Sequence, residues 1–365
     1  MRTLVAVREP GRDPIALVVD GDRFSDPDDG PIDAELPTGH LYALPGLADC
    51  HAHLGGGRIG QMGSLTDNDI RSHCVVNAWM QVEGGVLLIA DKGSSSDVSL
   101  EILDAPPVTR PAMQMAGRII AAPGGYYPGY GHQVDDAGLA EAVRSASNGA
   151  ASWVKIIGDW PRKGVGPTAN YGAAALQTAV KIAHRAGRRV AVHTMAPAGV
   201  GPAVAAGVDS IEHGLFLNAD DLPGLAERGG AWVPTALGAE AIVEFLGAAS
   251  SGGTLLRQGV ENLRDLLPEA ERLGVTVLAG TDLAVPHGEV AREAIRLHEL
   301  GLSRSAALHA VTAAAYAYLG VERGFVPGMP ADAVFVSDDP RDRLETLLEP
   351  QAIIRAGTVV RQPTM

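Results

Sequence analysis

Cysteine is nearly absent: Cys50 and Cys74 are the two in 365 residues. Two thiols cannot make a disulfide framework, and unpaired thiols suit a reducing compartment. Long apolar runs are missing too. No stretch of about 18 apolar residues occurs, and the opening MRTLVAVREPGRDP lacks the basic cluster and apolar core of a secretory leader. The chain therefore reads as cytoplasmic, with no membrane partner. Positive charge is also short, with 29 Lys+Arg against 43 Asp+Glu and a net charge of −14. Such a surface repels phosphate backbones and anionic lipids, which excludes nucleic acid as the expected partner and leaves a small-molecule substrate and a possible homo-oligomer. Lysine is scarcest among the charged residues: four stand in the chain, Lys92, Lys155, Lys163 and Lys181.

What is present is apolar residue, 46% of the total, with 45 glycines and 24 prolines dispersed between apolar segments. A short apolar run, a Gly/Pro-bearing loop and an amphipathic stretch recur, as parallel βα units require. Eight runs are predicted as strands: 42–49, 85–91, 112–116, 152–157, 189–193, 210–213, 231–235 and 276–282. Helices are predicted at about 69–83, 137–148, 172–187, 219–229, 255–274, 288–300 and 303–319. Together these imply an α/β fold, a (β/α)8 TIM barrel over residues 45–324. Residues 1–44 and 325–365 hold short β-rich runs such as TLVAV, IALVV and ADAVFV. They predict a small β-sandwich-like domain built from both termini, since separate hairpins would be marginal.

Chemistry-bearing residues fall at predicted strand ends. His51 and His53 stand two apart, so a strand turns both imidazoles to one face, where one metal ion could take both. Lys155 lies inside the apolar run SWVKII and must snorkel, pair or lose its charge. A neutral amine can form a Schiff base or take up CO₂ as a carbamate. His193 and His213 end strands five and six, and each serves either as a hydrogen-bonding residue or as a ligand. Asp282 ends strand eight, where it is a ligand or the cap of the next helix. In a parallel barrel all these strand ends converge at one mouth.

Pro45–His53, Lys155, His193, SIEHG at 210–214, GTDLAVPHG at 280–288, the stretch from Gly301 to Leu308 and GFVPGMPAD at 324–332 together resemble the metal-dependent amidohydrolase superfamily. They resemble in particular its imidazolonepropionase-like and Xaa-Pro dipeptidase-like members. The resemblance implies two divalent ions, Zn²⁺ by default with Mn²⁺ or Co²⁺ as alternatives. His51 and His53 would hold the first ion, His193 and His213 the second, and N6-carboxylated Lys155 would bridge them. Asp282 would bind the first ion and take a proton from a bridging water that attacks an amide, peptide-like or cyclic-amide C–N bond, with dipeptides or N-acyl amino acids favoured. The mononuclear deaminase branch carries a Glu three residues after the strand-five His, where this chain has Ala196, and it needs no Lys155. A deaminase, or a barrel that holds metal without turnover, remains the alternative. In the loop after strand three, Tyr126, Tyr127 and Tyr130 are expected to wall the pocket, with His132 as a catalytic hydrogen-bond donor. Arg162 or Lys163, near Tyr171, is expected to meet a substrate carboxylate. His287 is expected to support the ligands from behind.

Overall fold

The computed structural model describes residues 1–57, 64–162 and 164–363. Its centre is a seven-stranded, wholly parallel sheet in the order His132–Gln133, Ile120–Ala121, Trp153–Ile157, Arg189–Thr194, Ser210–His213, Ala231–Val233 and Thr276–Val277. A second parallel sheet joins Leu47–Ala52, Val86–Asp91 and Ala112–Met115. Strands such as Trp153–Ile157 and Val86–Asp91 are buried along their whole length, as expected of parallel strands covered on both faces. The two sheets touch at both margins of the smaller one. Ala52 bridges Asp282, and Ala116 bridges Trp153. Cys50 N–H donates to the Ala279 carbonyl at 2.9 Å, and Ser152 N–H to Met115 at 2.7 Å.

Amphipathic helices cover the sheets. Ala173–Arg185 buries Leu176, Ala179, Val180 and Ala183, the spacing that puts one stripe inward. Ser251–Leu273 starts at the Ser250 cap and stops at Gly274, whose φ of 75° is costly for any residue with a Cβ. Among the described residues, no helix is long and apolar enough to cross a membrane.

Strands from the two chain ends form two four-stranded sheets. One runs Arg23–Ser25, Ile15–Asp20, Thr3–Val7, Ala34–Leu36; the other runs Thr358–Arg361, Ala352–Arg355, Ala333–Val336, Tyr42–Leu44. Val5, Leu17, Phe24, Phe335 and Ile354 belong to one core common to both. At its edge Asp332 is buried against Arg355 at 2.6 Å and Arg323 at 3.2 Å.

Several predicted elements change. The run 42–49 breaks at Pro45-Gly46, where Gly46 has φ 122°; Tyr42–Leu44 joins a terminal sheet and a fresh strand runs through Leu47–Ala52. The eighth strand is regular only over Thr276–Val277; beyond it the chain keeps an isolated bridge from Asp282 to Ala52, with Asp282 in the left-handed region at φ 53°. Helices Pro197–Ala206 and Ala236–Leu246 escape the periodicity reading because glycine, alanine and proline blur their stripes. The predicted helix 303–319 is two, Arg304–Ala310 and Ala313–Leu319.

Candidate metal centre and active-site cleft

The first strand carries His51 to its end and His53 just past it. Their Nε2 atoms lie 3.2 Å apart. His53 Nδ1 is 2.7 Å from the Gly93 carbonyl, so it must donate there, which leaves Nε2 a free lone pair. His51 Nδ1 is 2.7 Å from Glu212 Oε2, at an angle short of a good hydrogen bond; an anionic oxygen this close still favours the Nδ1–H tautomer. Asp282 Oδ1 stands 3.5 Å from His53 Nε2 and 3.9 Å from His51 Nε2. These three residues bring ligating atoms within 4.8 Å of one another. Gly280 makes this approach possible, since a Cβ there would fall 2.4 Å from His51 Cβ.

A second pair faces them. His213 Nε2 and His193 Nδ1 are 2.9 Å apart, and His213 Nδ1 is 2.6 Å from the Thr235 hydroxyl. Thr235 itself donates to the Pro234 carbonyl at 2.8 Å, so it accepts from His213 Nδ1–H and frees Nε2. Nitrogens sharing a tetrahedral ion at 2.0–2.1 Å stand about 3.3 Å apart. Both pairs sit close to that spacing. Burial pushes all four imidazoles down, His53 to about 3, with the Lys155 ammonium adding to the effect. Neutral imidazoles are what a cation needs as ligands.

Lys155 is 2% exposed, and its Nζ lies 3.5 Å from His51 Nε2. Burial, opposed by Glu212, pushes its pKa down to about 8, so a reactive neutral amine is accessible near neutral pH. Burial pushes the Asp282 carboxyl up to about 6 against the pull of Lys155. The donor set therefore fits divalent ions, with five nitrogen donors and one carboxylate converging.

Supporting residues include two that sequence reasoning passes over. Glu212 is wholly buried and holds Lys92 Nζ at 3.1 Å and the Ser210 hydroxyl at 2.5 Å. Burial pushes its carboxyl up, and Lys92, Lys155 and the Ser210 hydroxyl overcome this to leave it below the ordinary value. The Lys92 ammonium also lies 4.1 Å above the Trp153 ring. The signal was visible: Lys92 is another of the four lysines, directly after an apolar strand. Behind His51, Asp49 accepts from the Thr281 hydroxyl at 2.6 Å and from Gln81 at 3.2 Å, and Gln81 reaches His287 Nδ1 at 3.2 Å. His287 is thus linked to His51 through Gln81 and Asp49, which accepts from the His51 N–H at 3.1 Å.

His51, His53, Lys155, His193, His213 and Asp282 line one cleft of about 510 Å³, mouth included, together with Tyr126 and Tyr127. Trp160, Met195, Gly238, Ile242, Leu283 and Ala284 complete its wall. Gly238, in the helix Ala236–Leu246, lies beside the carboxylate, where a Cβ would sit in ordinary contact at 3.8 Å from Asp282 Oδ2. Four other expected residues lie elsewhere. Tyr130 is fully buried in an apolar cluster with Ile119, Ala121 and Ile157. His132 is drawn into a short strand paired with Ile120, its N–H donating to Ile119 at 2.7 Å, and is not among the cleft residues. Tyr171 is buried with its hydroxyl on the Val134 carbonyl at 3.0 Å, and Arg162 reaches Asn170 at 3.2 Å. Both border a separate outer cavity. Lys163 lies outside the described residues.

Residues 42–360 match the amidohydrolase family. Over 329 residues the chain is 31% identical to an uncharacterised protein of Mycobacterium tuberculosis, covering 87% of this chain and 84% of that one. It is 26% identical over 356 residues to ochratoxinase of Aspergillus niger, covering 85% of this chain and 73% of that enzyme. The fold superposes on a crystal structure of a Xaa-Pro dipeptidase with bound methionine at a TM-score of 0.84 and 22% identity, over 99% of this chain and all of the other. The chain belongs to the amidohydrolase family and is a hydrolase acting on carbon–nitrogen bonds.

Proposed function

We propose that this protein binds two divalent ions, Zn²⁺ by default, and hydrolyses an amide, peptide-like or cyclic-amide bond of a small molecule, with dipeptides or N-acyl amino acids favoured. The observation that carries the reading is the pair of imidazole pairs, 3.2 Å and 2.9 Å between nitrogens, with Lys155 Nζ beside the first. His51, His53 and Asp282 would hold one ion, and His193 and His213 the other. Lys155, carboxylated at Nζ, would span both. Such ions, when bound, would supply Lewis acidity for the scissile carbonyl and lower the pKa of a water toward neutrality. Asp282 accepts the water's proton and returns it to the leaving nitrogen. Tyr126, Tyr127 and Trp160 narrow the cleft around the substrate and exclude bulk water.

The two parallel sheets, touching at both margins, are read as one (β/α)8 barrel over 45–324, with 1–44 and 325–365 as its β-sandwich satellite. The buried free thiols Cys50 and Cys74 and the net charge of −14 support a cytoplasmic enzyme of small molecules.

Metal analysis coupled to a hydrolysis screen tests the proposal. Close to two ions per active chain are expected. Lys155→Ala should lose metal and activity, with partial rescue by short carboxylates plus excess metal. One ion per active chain with ammonia release would instead establish the deaminase reading.

A further inference from the structure

We propose that the cleft continues into an apolar annex that receives an aliphatic or aromatic arm of the substrate, so that the preferred amides carry a bulky apolar group on one side of the scissile bond. The inference rests on the hydrolase reading and adds the substrate class to it.

The annex, which is open to solvent on one side, spans about 830 Å³ with its mouth included. It adjoins the metal cleft: Tyr127, Trp160, His193, Met195 and Ile242 line both spaces. Trp160 stands at the junction, its ring 4.7 Å from Tyr126 and 5.9 Å from His193 between centroids. The far wall is Phe245, Leu246, Leu255 and Leu256, from the end of one helix and the start of the next. Phe245 is 66% exposed, a large apolar ring left facing water beside an apolar hollow. Asp159 is the one carboxylate in the lining, and its oxygens are taken by the N–H groups of Met195 at 3.1 Å and Ala196 at 3.0 Å. Beyond Tyr127, Trp160 and His193 at the junction, the lining is almost wholly apolar, so an apolar arm gains there by leaving water.

Each methylene buried should raise kcat/KM about 3- to 4-fold. Two substrate series on the metal-loaded enzyme test this: N-acyl glycines from acetyl to decanoyl, and N-acetyl amino acids from glycine to norleucine and phenylalanine. A steep rise is expected in one series. Leu255→Asp should reduce the long-to-short ratio of kcat/KM at least tenfold, and Leu255→Trp, which fills the space without adding charge, should do the same if the Asp variant folds poorly. Hydrolysis with flat profiles in both series would overturn the annex while leaving the hydrolase intact. Absence of turnover throughout would overturn the hydrolase reading instead. The annex is then read by calorimetry with octanoate and acetate: tighter octanoate binding that Leu255→Asp weakens supports it, and equal affinities overturn it.

Discussion

The buried Lys92–Glu212 pair offers a quantitative test of how this site is held. At 3.1 Å and an effective dielectric of about 20, the attraction is about 5 kcal/mol, most of it offset by desolvating two ions. Glu212→Gln strands the Lys92 ammonium at 1% exposure above Trp153, and removing one partner of a buried pair costs about 3–5 kcal/mol. Lys92→Met should cost less, because Ser210 and Lys155 still face the carboxylate. The double variant should then be more stable than the sum of the singles by about 2–4 kcal/mol. Urea denaturation of metal-free protein measures this coupling. Glu212→Gln should also weaken Zn²⁺ binding about 10- to 100-fold, since Glu212 Oε2 lies against the ring nitrogen of His51 opposite its ligating edge. Additivity within about 0.5 kcal/mol, or unchanged metal affinity, would refute the positioning role.

Asp282→Asn should retain metal while kcat falls about 10²–10⁴-fold, the usual contribution of a positioned acid–base group; retained turnover would move proton transfer elsewhere. His132→Asn should leave kcat/KM within about twofold, whereas Tyr127→Ala, in the cleft wall, should lower it at least tenfold on the same substrate. Glu293 accepts the N–H groups of Ala236 and Leu237 at 2.6 and 3.0 Å, yet burial pushes its carboxyl up to about 8. Its folded value lies above the unfolded one, so the folded state binds more protons between about pH 4.5 and 8 and stability is lost as pH rises through that window, by at most about 1.4 kcal/mol per unit. Glu293→Gln should flatten that part of the stability curve, as read by denaturation at pH 5, 6.5 and 8.

The candidate ligands were legible because His51, His53, His193, His213 and Asp282 end or follow apolar runs and Lys155 interrupts one, and parallel strands deliver such ends to one side of a sheet. His51, His53, Lys155, His193, His213 and Asp282 accordingly meet in one cleft. The Tyr126–His132 loop was not legible as a unit. Gly/Pro composition marks the loop but cannot say that pairing with Ile120 fixes His132 or that Tyr130 turns into the core. Trp160 and Ile242 escaped because a hairpin, Asp159–Arg162 with Gly166–Ala169, and a helix rich in alanine and glycine bring them over the cleft from elsewhere. Such placement depends on contacts distant in sequence, which periodicity does not record.

Thr235 shows the same limit from the side of strain. It stands at the start of Ala236–Leu246 but makes no cap bond to that helix; Glu293 caps it instead. Thr235 adopts φ 47°, a region unfavourable for a β-branched residue, and spends its hydroxyl on His213 and the Pro234 carbonyl. His213 and Asp282 also have positive φ, at 65° and 53°, so three such residues gather around one cleft. Strain concentrated there is sustained by the surrounding packing, and the Thr235 hydroxyl fixes which His213 nitrogen faces the cleft. Two substitutions separate the hydroxyl from the branched shape. Thr235→Ser keeps the hydroxyl and eases the crowding, so stability should stay within about 1 kcal/mol and Zn²⁺ affinity near wild type. Thr235→Val keeps the shape but leaves His213 Nδ1 without its partner, costing about 1–3 kcal/mol and lowering Zn²⁺ affinity about 10- to 100-fold. Competition with a chromophoric chelator measures the affinities; a Val variant that binds Zn²⁺ as tightly as the Ser variant would show that the hydroxyl does not orient His213.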